Sequence, residues 1–440
     1  MKPPPHPPSV PDLLRHVSPE RLAKIMPLAR EAGRAGYLHW DEVRHRRPPE
    51  GLSAEEWWLL MKLGRQPRDL PLADARGRPF VYSFPDELLA LLHQVDSAAR
   101  GAIEADEPIT GPESRERYLI TSLIEEALTS SQLEGASTTR KVAVEMLRAG
   151  RPPRDRSERM IVSNYRAMEH VRRLRSERLS AARVLELHRL VTEGTLRDPS
   201  AAGRLQRPGE RRVGVYDNRD GTLLHDPPDA GALPERLEQM CAFANHERDT
   251  QGFLHPVLRA ITLHFWLAYD HPFEDGNGRT ARALFYWSML REGYWLAEYV
   301  SISRLLRKAP AQYARAFLYA ESDDNDLTYF FLHQLRVLAR AIEDLYAYLR
   351  RKADELRALD RLLKATAELN YRQRALLAHA LRYAGYRYTI ASHQRSHGVA
   401  YATARADLLD LEAKGLLSAR RVGRTFHFVA PEDLGRRLQA

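Results

Sequence analysis

Helical periodicity runs through most of this chain, and strand signals are rare. Over residues 114–133 the apolar side chains recur at i, i+1, i+4 and i+5, which is the pattern of an amphipathic helix, and Gly135 follows as a stop signal. Further helical patterns cover roughly 157–176, 180–195 and, with loops between them, 233–370. The sequence therefore predicts a mainly α-helical protein.

One short segment breaks the helical pattern and indicates β structure. Residues 211–216 and 222–225 read as two short strands, because they flank the turn sequence Asn-Arg-Asp-Gly at 218–221. No other segment before residue 385 gives a convincing strand signal. We therefore expect one small β-hairpin inside the helical region.

Composition restricts the class of protein. A chain of 440 residues is long enough for two or three domains, and its single cysteine, Cys241, excludes a disulfide framework and a cysteine-built zinc site. The N-terminus is rich in proline and lacks the apolar segment of a secretory signal, and no uncharged apolar run approaches the ~18 residues of a membrane span. We expect a soluble, cytoplasmic protein with no membrane partner.

Changes in composition and pattern divide the chain into four regions. Residues 1–110 form an N-terminal extension with proline-rich stretches, and residues 111–340 form the main helical domain. Residues 341–370 form a linking helix rich in Ala, Leu and Arg, and residues 371–440 form a C-terminal domain. No chemistry is readable in the extension, so functional residues are expected in the second and fourth regions.

The C-terminal region has its own pattern. Helical patterns at roughly 371–383, 390–397 and 400–414 precede two strand-like runs that turn at Gly423, and this order resembles a winged helix-turn-helix. The formal net charge of the whole chain is +9, and residues 371–440 carry twelve Lys or Arg against five Asp or Glu, a net of +7.

Excess positive charge in such a module favours an acidic partner. We expect duplex DNA, contacted by the third helix of the module and by its wing, with docking to a protein or dimerisation as the alternative. The candidate DNA-contacting residues are Arg405, Arg420, Arg421 and Arg424.

The stretch from 271 to 282, His-Pro-Phe-Glu-Asp-Gly-Asn-Gly-Arg-Thr-Ala-Arg, is the most informative in the chain. Apolar helical patterns precede and follow it, so it is a loop that leads into a helix N-terminus near Thr280. Gly276 and Gly278 let backbone N–H groups approach an anion, and the positive end of the helix dipole favours negative charge. Arg279 and Arg282 are three residues apart, so both guanidinium groups are able to bind phosphate oxygens on one side.

Three further side chains of this stretch suit a nucleotide site. Asp275 supplies the hard oxygen ligand that Mg²⁺ uses beside a polyphosphate, and Asn277 offers an amide donor. His271 is able to take a proton from a hydroxyl near neutral pH. A plain turn is the alternative, whereas an EF-hand calcium loop is excluded because no Glu stands at the twelfth position from Asp270 or Asp275.

The stretch 271–282 resembles the motif H-P-F-x-[DE]-G-N-G-R-x-x-R of the Fic family at every specified position, and the wider resemblance runs from about 114 to 335. The resemblance implies a helical Fic domain with a small β-hairpin flap. It also implies an enzyme that binds ATP with Mg²⁺ and transfers AMP to a Tyr, Ser or Thr hydroxyl of a protein, releasing pyrophosphate. Transfer of UMP or phosphocholine also occurs in the family and is left open.

The resemblance also implies a role for individual residues. His271 would be the general base, Asp275 would hold Mg²⁺, and the hairpin would be the flap that aligns the target. The implied anion hole for the α-phosphate consists of Gly276, Asn277 and Gly278. The residues implied to bind the β- and γ-phosphates are Arg279 and Arg282, within an ATP-binding run that includes Thr280 and Ala281. The flap residues are Arg212, Val213, Gly214, Val215 and Tyr216.

Residues 130–135 fit the inhibitory pattern [ST]-x-x-x-E-[GN] of the family, with Ser130, Glu134 and Gly135 at the specified positions. The resemblance implies that Glu134, near the end of an inhibitory helix at about 115–135, restrains the transfer. In some relatives the same glutamate supports removal of AMP. The alternative is that Glu134 is an ordinary, solvated helix-end carboxylate.

These observations lead to two hypotheses for function. The first is a protein adenylyltransferase that Glu134 inhibits and that acts on a partner protein or on itself. The second is a DNA-binding regulator whose Fic core works as a nucleotide sensor or a self-modifying switch. The intact His271 favours a working enzyme, since a sensor needs no base. The sequence leaves open whether the chain forms a homodimer.

Overall fold

The fold is known from a computed structural model, which describes residues 2–99, 112–217, 219–247, 252–365, 369–383, 385–422 and 425–438. Three residues of the predicted features lie outside this part of the chain. They are Asn218 in the turn of the hairpin, Gly423 at the turn of the wing, and Arg424.

The described chain divides into two compact units, with the boundary after Leu345. The elements of the first unit are α1 Val10–His16, α2 Pro19–Ile25, α3 Ala29–Gly33, α4 Trp40–Val43, α5 Ala54–Leu63, β1 Arg68–Ala73, β2 Pro79–Tyr82, α6 Asp86–Ala99, α7 Pro112–Leu133, α8 Arg140–Ala149, α9 Arg156–Arg173, α10 Ala181–Thr192, β3 Val215–Tyr216, β4 Leu223–His225, α11 Leu233–Ala244, α12 Pro256–Asp270, α13 Asn277–Arg291, α14 Ile302–Lys308 and α15 Pro310–Ser322. Helix α16, Thr328–Ala365, crosses the boundary.

The remaining elements belong to the second unit. They are α17 Tyr371–Arg382, β5 Arg387–Tyr388, α18 Ile390–His397, α19 Tyr401–Ala413, β6 Ser418–Val422, β7 Thr425–Val429 and α20 Leu434–Arg437. The predicted mainly α-helical fold with a small hairpin is confirmed. The four predicted domain boundaries stay predictions.

Helices α12 and α13 form the centre of the first unit, and nearly all of their residues are buried. Pro256 begins α12 at a position where its missing N–H costs nothing, and the helix ends where His271 takes a left-handed conformation with φ 44°. Helix α13 starts directly after Gly276, whose φ is 86°. The two helices therefore meet through the loop that carries the nucleotide-binding pattern.

The prediction of a single hairpin before residue 385 is wrong, because β1 and β2 form a second antiparallel pair. Their inward side chains alternate as expected, with Leu70 and Phe80 among the buried ones. The charges at the start of β1 and the proline at position 71 obscured this alternation in the sequence. Pro71 is tolerated because β1 pairs with one strand only.

The N-terminal extension packs against the loop between α15 and α16. Arg65 is central to this contact, since its guanidinium donates to Asp323 at 2.7 Å and to Asp326 at 3.1 Å and lies over the ring of Tyr37. Its other terminal nitrogen donates to the carbonyl of Leu38 at 2.9 Å. Tyr37 and Leu38 of the N-terminal extension thus belong to a buried polar junction within the first unit.

The described part of the second unit contains helices α17, α18, α19 and α20 and a three-stranded antiparallel sheet in the order β5, β7, β6. Its core includes Leu377, Leu408, Leu411 and Phe428. Helix α18 ends at Gly398, which has a left-handed backbone, and α19 begins after a short turn. The helices and the β6–β7 hairpin lie in the predicted order, and β5 is an additional strand. The interpretation as a winged helix-turn-helix stays a prediction.

In the part of the chain that the structure describes, each helix is too short or too polar to cross a bilayer.

Candidate functional site

His271 lies at the C-terminal end of α12 with its ring held by the helix. Its Nδ1 lies 3.3 Å from the carbonyl oxygen of Ala268, and because a carbonyl only accepts, Nδ1 carries the proton. Burial lowers the pKa of His271 to about 4, so the ring is neutral at pH 7. The unshared electron pair is therefore on Nε2, the nitrogen available to accept a proton.

Two arginines hold the helix end from which His271 projects. Arg212 donates to the carbonyls of Asp270 at 2.7 Å and His271 at 3.3 Å, which would otherwise lack partners at the helix C-terminus. Arg236 donates to the carboxylate of Asp270 at 2.6 Å and 2.8 Å, and Trp266 donates to the other oxygen of that carboxylate at 3.0 Å. Arg212 thus supports the end of α12 at His271, and it precedes β3 rather than lying in it.

The loop after His271 is positioned by a histidine that the sequence analysis missed. The ring of His188 in α10 stacks on Phe273, with centroids 3.7 Å apart. The Gly203 N–H donates to His188 Nδ1 at 3.0 Å, so the proton is on Nε2, which donates to the carbonyl of Asp275 at 2.9 Å. Burial lowers the pKa of His188 to about 4 and keeps it in this neutral form. The only sequence signal for this role was a histidine on the buried face of a helix.

Gly276 and Asn277 fix the turn into α13. A Cβ at Gly276 would lie 2.6 Å from the Thr192 methyl carbon, so both the space and the positive φ require glycine. The Asn277 side chain accepts from Phe273 N–H at 3.0 Å and donates to the Phe273 carbonyl at 2.8 Å. The amide therefore closes the loop on itself through its oxygen and one of its two N–H groups, and its predicted role toward an anion stays a prediction.

The backbone at the start of α13 points toward the same region. The first intrahelical bond is from Thr280 N–H to the Gly276 carbonyl at 2.9 Å, so the N–H groups of residues 277–279 precede it and are free of the helical ladder. The Thr280 hydroxyl donates to the Gly276 carbonyl at 2.9 Å, and Ala281 is buried. Both side chains stabilise the helix, while its N-terminal backbone faces the loop.

Asp275 lies on the exposed side of the loop. One carboxylate oxygen accepts from Arg156 at 2.9 Å, and the other accepts from the Gly276 N–H at 2.5 Å and faces Arg279 at 3.4 Å. About a third of the side chain, 33%, is exposed. The carboxylate is thus oriented by its neighbours and still open to solvent.

The two arginines of α13 are buried and differ in their partners. Arg279 donates to the Val191 carbonyl at 2.5 Å, and burial lowers its pKa from the ordinary value. Arg282 donates through Nε to the Ser130 hydroxyl at 2.8 Å and through Nη2 to the Ser130 carbonyl at 3.1 Å. Both guanidinium groups are fixed in place before any ligand arrives.

Glu134 completes the arrangement. Its Oε1 accepts from Arg282 Nη2 at 2.7 Å. A Cβ at Gly278 would lie 2.1 Å from the same oxygen, so the carboxylate sits directly against the backbone of α13 at this glycine. Gly135, with φ 92°, ends α7 and turns the chain away, as predicted. The structure brings together Ser130 and Glu134 of the 130–135 pattern and Arg282 of the loop motif.

Comparison with known proteins supports the fold and the motif. Residues 178–289 match the model of the Fic/DOC family. The chain contains a Fic domain. "Protein adenylyltransferase Fic" from Drosophila grimshawi is 37% identical over 111 residues, which are 25% of this chain and 20% of that protein. The protein of the same name from Culex quinquefasciatus is 38% identical over 112 residues, 25% of this chain and 19% of its own. The match thus spans about a fifth of these relatives.

A solved structure extends the likeness of the fold beyond the Fic domain itself. A Fic family protein from Desulfovibrio desulfuricans G20 matches with a TM-score of 0.53 at 19% sequence identity. The match covers 80% of this chain and 98% of that one. At this identity the comparison concerns the fold alone.

The hairpin of the Fic domain is short and anchored at one end. Val215 and Tyr216 pair with β4, and Val213 and Gly214 precede the strand. Tyr216 and Leu223 are exposed. His225, at the end of β4, bonds Glu321 and the carbonyl of Tyr269, each at 2.7 Å. Burial alone would lower the pKa of His225, but these two acceptors raise it above the ordinary value, so a charged ring ties the hairpin to α12.

The candidate DNA-contacting residues lie outside the Fic domain, in the second unit. Arg405 is exposed on the N-terminal half of α19, and Arg420 and Arg421 are exposed on β6. Arg424 lies outside the described residues. Tyr401 at the start of α19 is also exposed.

Proposed function

We propose that the Fic domain transfers AMP from ATP to a hydroxyl side chain of a protein and releases pyrophosphate. The observation that carries this proposal is the neutral ring of His271, with its Nε2 electron pair available, at the entrance of a loop that leads to two buried arginines. A base beside an anion-binding helix N-terminus suits the attack of a hydroxyl on a phosphate. The names of the relatives from Drosophila and Culex agree with this chemistry.

In the proposed reaction, His271 Nε2 takes the proton of the target hydroxyl. The hydroxyl oxygen then forms a bond to the α-phosphorus, and the bond between that phosphorus and the bridging oxygen of pyrophosphate breaks. Because Nδ1 keeps its own proton on the Ala268 carbonyl, the ring becomes a cation as the reaction proceeds. The nearby carboxylate of Glu134 favours the protonated, positively charged form of the ring.

The residues of α13 hold the nucleotide in this proposal. The N–H groups of residues 277–279 surround the α-phosphate, and Arg279 and Arg282 bind the outer phosphates, where fixed guanidinium groups suit oxygen anions. The role of Asn277 is thus carried by its backbone, since its side chain closes the loop.

Asp275 fits a magnesium ion that is held partly by substrate. The described residues contain no group of three or more His, Cys, Asp or Glu that would bind a metal alone. Mg²⁺ commonly uses one or two carboxylates together with phosphate oxygens, and the oriented, solvent-open carboxylate of Asp275 meets that requirement. When bound there, the ion would neutralise charge on the phosphates.

The hairpin is the proposed docking element for the target. Of the described strands, only β4 pairs with β3, so the outer edge of β3 is available for another strand. Exposed Tyr216 and Leu223 offer apolar contact beside it. An extended target segment would be held there with its hydroxyl facing His271.

The donor group is tested with ATP labelled on either the α- or the γ-phosphate. The protein is incubated with each ATP and Mg²⁺, alone and with a cell lysate, and labelled proteins are resolved on a gel. We expect label from the α-phosphate and none from the γ-phosphate. Label from the γ-phosphate would indicate a kinase, and label from neither would favour a nucleotide sensor or another donor.

We further propose that Glu134 inhibits the transfer. Its bond to Arg282 occupies a guanidinium that the γ-phosphate needs, and its carboxylate lies against Gly278. ATP bound beside Glu134 would have its α-phosphate out of line with the attacking hydroxyl. In this proposal the same carboxylate would also assist the reverse reaction, the removal of AMP from a modified target.

A second function, DNA binding by the C-terminal unit, is favoured by a separate observation. The exposed arginines Arg405, Arg420 and Arg421 and the exposed Tyr401 lie on α19 and β6. Arginines on a helix N-terminal half and on a wing suit contacts to the major groove and to phosphates. A gel-shift assay of the whole protein with random duplex DNA at low salt tests this, and absence of a shift would contradict it.

A further inference from the structure

Polar side chains form a seam along α7. Ser122, Glu126, Ser130 and Glu134 follow one another at intervals of four residues, so they lie on one side of the helix. Each of them is hydrogen-bonded to α13 or to the segment 299–303. The helix that carries the proposed inhibitory glutamate is therefore fixed by polar contacts along its length.

The strongest point of the seam is Glu126. Its carboxylate, in a residue that is 2% exposed, accepts four hydrogen bonds. They come from the Tyr286 hydroxyl at 2.9 Å, the Ser301 hydroxyl at 2.7 Å, and the N–H and hydroxyl of Ser303 at 3.2 Å and 2.5 Å. Because a buried carboxylate is costly to leave unpaired, this set of donors holds Glu126 in one position.

Glu126 and Glu134 contact the same partner helix. On α13 their partners are Tyr286 and Arg282, which are four residues apart and so share a face. The side chain of Glu134 is 27% exposed, so its own ion pair holds the helix less firmly than the buried cluster does. The position of Glu134 thus depends on buried contacts one and two turns earlier, those of Ser130 with Arg282 and those of Glu126 with Tyr286.

The contact between Glu134 and Arg282 is sensitive to the position of α7 along its axis. A slip of α7 by one helical turn would move Glu134 by about 5.4 Å along the helix axis. Its Oε1 now lies 2.7 Å from Arg282 Nη2, so such a slip would break the contact. A smaller loosening would lower the fraction of time for which the contact is made.

We propose that Glu126 and Tyr286 are positioning residues for the inhibitory contact, because they fix the register of α7 on α13 and thereby place Glu134 on Arg282. This inference rests on the proposed function and names two residues through which that function would be regulated. A change at either residue that weakens the buried cluster should release AMP transfer, although neither residue binds the nucleotide.

The test uses Tyr286→Phe in the full chain, because it removes one hydroxyl and little volume. AMP incorporation is measured with α-labelled ATP. We expect an increase of roughly two- to tenfold, because the variant loses the bond to Glu126 together with the bonds of the same hydroxyl to the Val300 carbonyl and the Ile302 N–H. In a Glu134→Gly background the same change should produce no further increase, since no contact remains to be placed. Glu126→Gln should act in the same direction.

Tyr294→Phe is the matched control. Tyr294 is also buried, and its hydroxyl donates to a carboxylate, that of Asp96 in α6, at 2.5 Å. It lies outside the seam, so its loss should leave AMP transfer unchanged. Thermal unfolding of all variants shows whether any change in activity follows from a general loss of stability.

Three results would overturn the inference. They are an unchanged rate in Tyr286→Phe while Glu134→Gly is active, equal activation by Tyr286→Phe with and without Glu134, and equal activation by the Tyr294→Phe control. If Glu134→Gly itself fails to raise transfer, the inhibitory contact is wrong and this inference falls with it. Amide hydrogen exchange gives an independent reading, since Tyr286→Phe should speed exchange in the last two turns of α7.

Discussion

The arginines of α13 and those of the C-terminal unit meet their surroundings in different ways. The side chains of Arg279 and Arg282 are 0% and 2% exposed, and each is bonded to backbone carbonyls and to carboxylates. Arg405, Arg420 and Arg421 are exposed, and α19 and β6 present them to solvent. The same residue type is thus used in a closed site and on an open surface.

This difference teaches what each region is able to bind. A buried guanidinium fixed by its neighbours fits a compact anion that enters the site, and it needs a negative partner when that anion is absent. Glu134 is such a partner for Arg282. Exposed arginines are hydrated and accessible, so they suit a long polyanion that lies along the surface. The two proposed activities should therefore differ in their response to mutation, salt and pH.

The largest expected effect comes from removing the base and keeping the buried arginines. His271→Ala, made in a Glu134→Gly background, should lower AMP transfer by ~10²–10⁴, the usual cost of losing a general base. ATP binding should be retained, because the phosphates are held by other groups. Label transfer and equilibrium binding of ATP measure the two effects, and transfer at the rate of the parent variant would rule out His271 as the base.

The next effect tests whether Glu134 is the negative partner that the buried arginine requires. Glu134→Gly should raise AMP transfer, including self-modification, by roughly ten- to hundredfold, as for loss of a charge-assisted hydrogen bond that stabilises the inhibited state. Glu134→Asp should raise it less, because the shorter side chain keeps a weakened contact. Glu125→Gln, which neutralises a carboxylate of α7 that bonds Arg140 instead and leaves the helix intact, is the control. Equal rates for Glu134→Gly and the unmutated protein over a range of ATP and Mg²⁺ would leave Glu134 an ordinary helix-end residue.

The salt dependence of DNA binding should distinguish the exposed arginines from the buried ones. DNA binding should weaken with salt in proportion to the number of phosphate contacts, and Arg405→Ala or Arg421→Ala should each reduce the log–log slope by about 0.9. Arg282→Ala should leave the slope unchanged, because that side chain is buried in the Fic domain. Affinity measured by fluorescence anisotropy at several salt concentrations checks this, and an equal slope in all three variants would contradict the assignment.

The smallest expected effect is that of pH on the Fic domain. Because burial lowers the pKa of His271 to about 4, its ring accepts a proton only as the pH falls toward that value. AMP transfer by Glu134→Gly should therefore change little from pH ~6 to ~8, the interval in which an ordinary histidine would titrate. A fall in rate with a midpoint near 6.5 would show that the His271 ring is not neutral in the working enzyme.

His225 should respond to pH in the opposite sense. Its pKa is raised in the folded protein, so the stability that its charged ring contributes is present at low pH and is lost as the pH rises through the folded pKa. His225→Gln should abolish that part of the dependence in thermal unfolding curves. Curves of identical pH dependence with and without His225 would contradict the charged state.

Local patterns explain most of what the sequence predicted. Helices α18 and α19 follow from their helical patterns, and the loop before α13 follows from the spacing of Gly276, Gly278 and Arg282. These features depend on residues close together in the chain. The strand pair β1–β2 was missed for a local reason as well, since charges and Pro71 hid its alternation.

Contacts between distant segments explain what could not be predicted. His188 is 87 positions from Asp275, and Glu126 is 160 positions from Tyr286, so no spacing in the sequence indicates that either pair meets. The sequence chemistry of Asn277 suggests that its side chain binds an anion. In the structure the amide makes hydrogen bonds to the Phe273 backbone. Chemistry in the sequence therefore indicated the proposed reaction, and the packing of α7, α10 and α13 decides which atoms are available for it.

The most direct test of the account is the intact mass of Glu134→Gly after incubation with ATP and Mg²⁺. The account predicts that the protein gains the mass of one or more AMP groups, and that the double variant with His271→Ala gains none. Addition of a phosphate group, or an unchanged mass together with an unmodified set of lysate proteins, would contradict the proposal that this Fic domain transfers AMP.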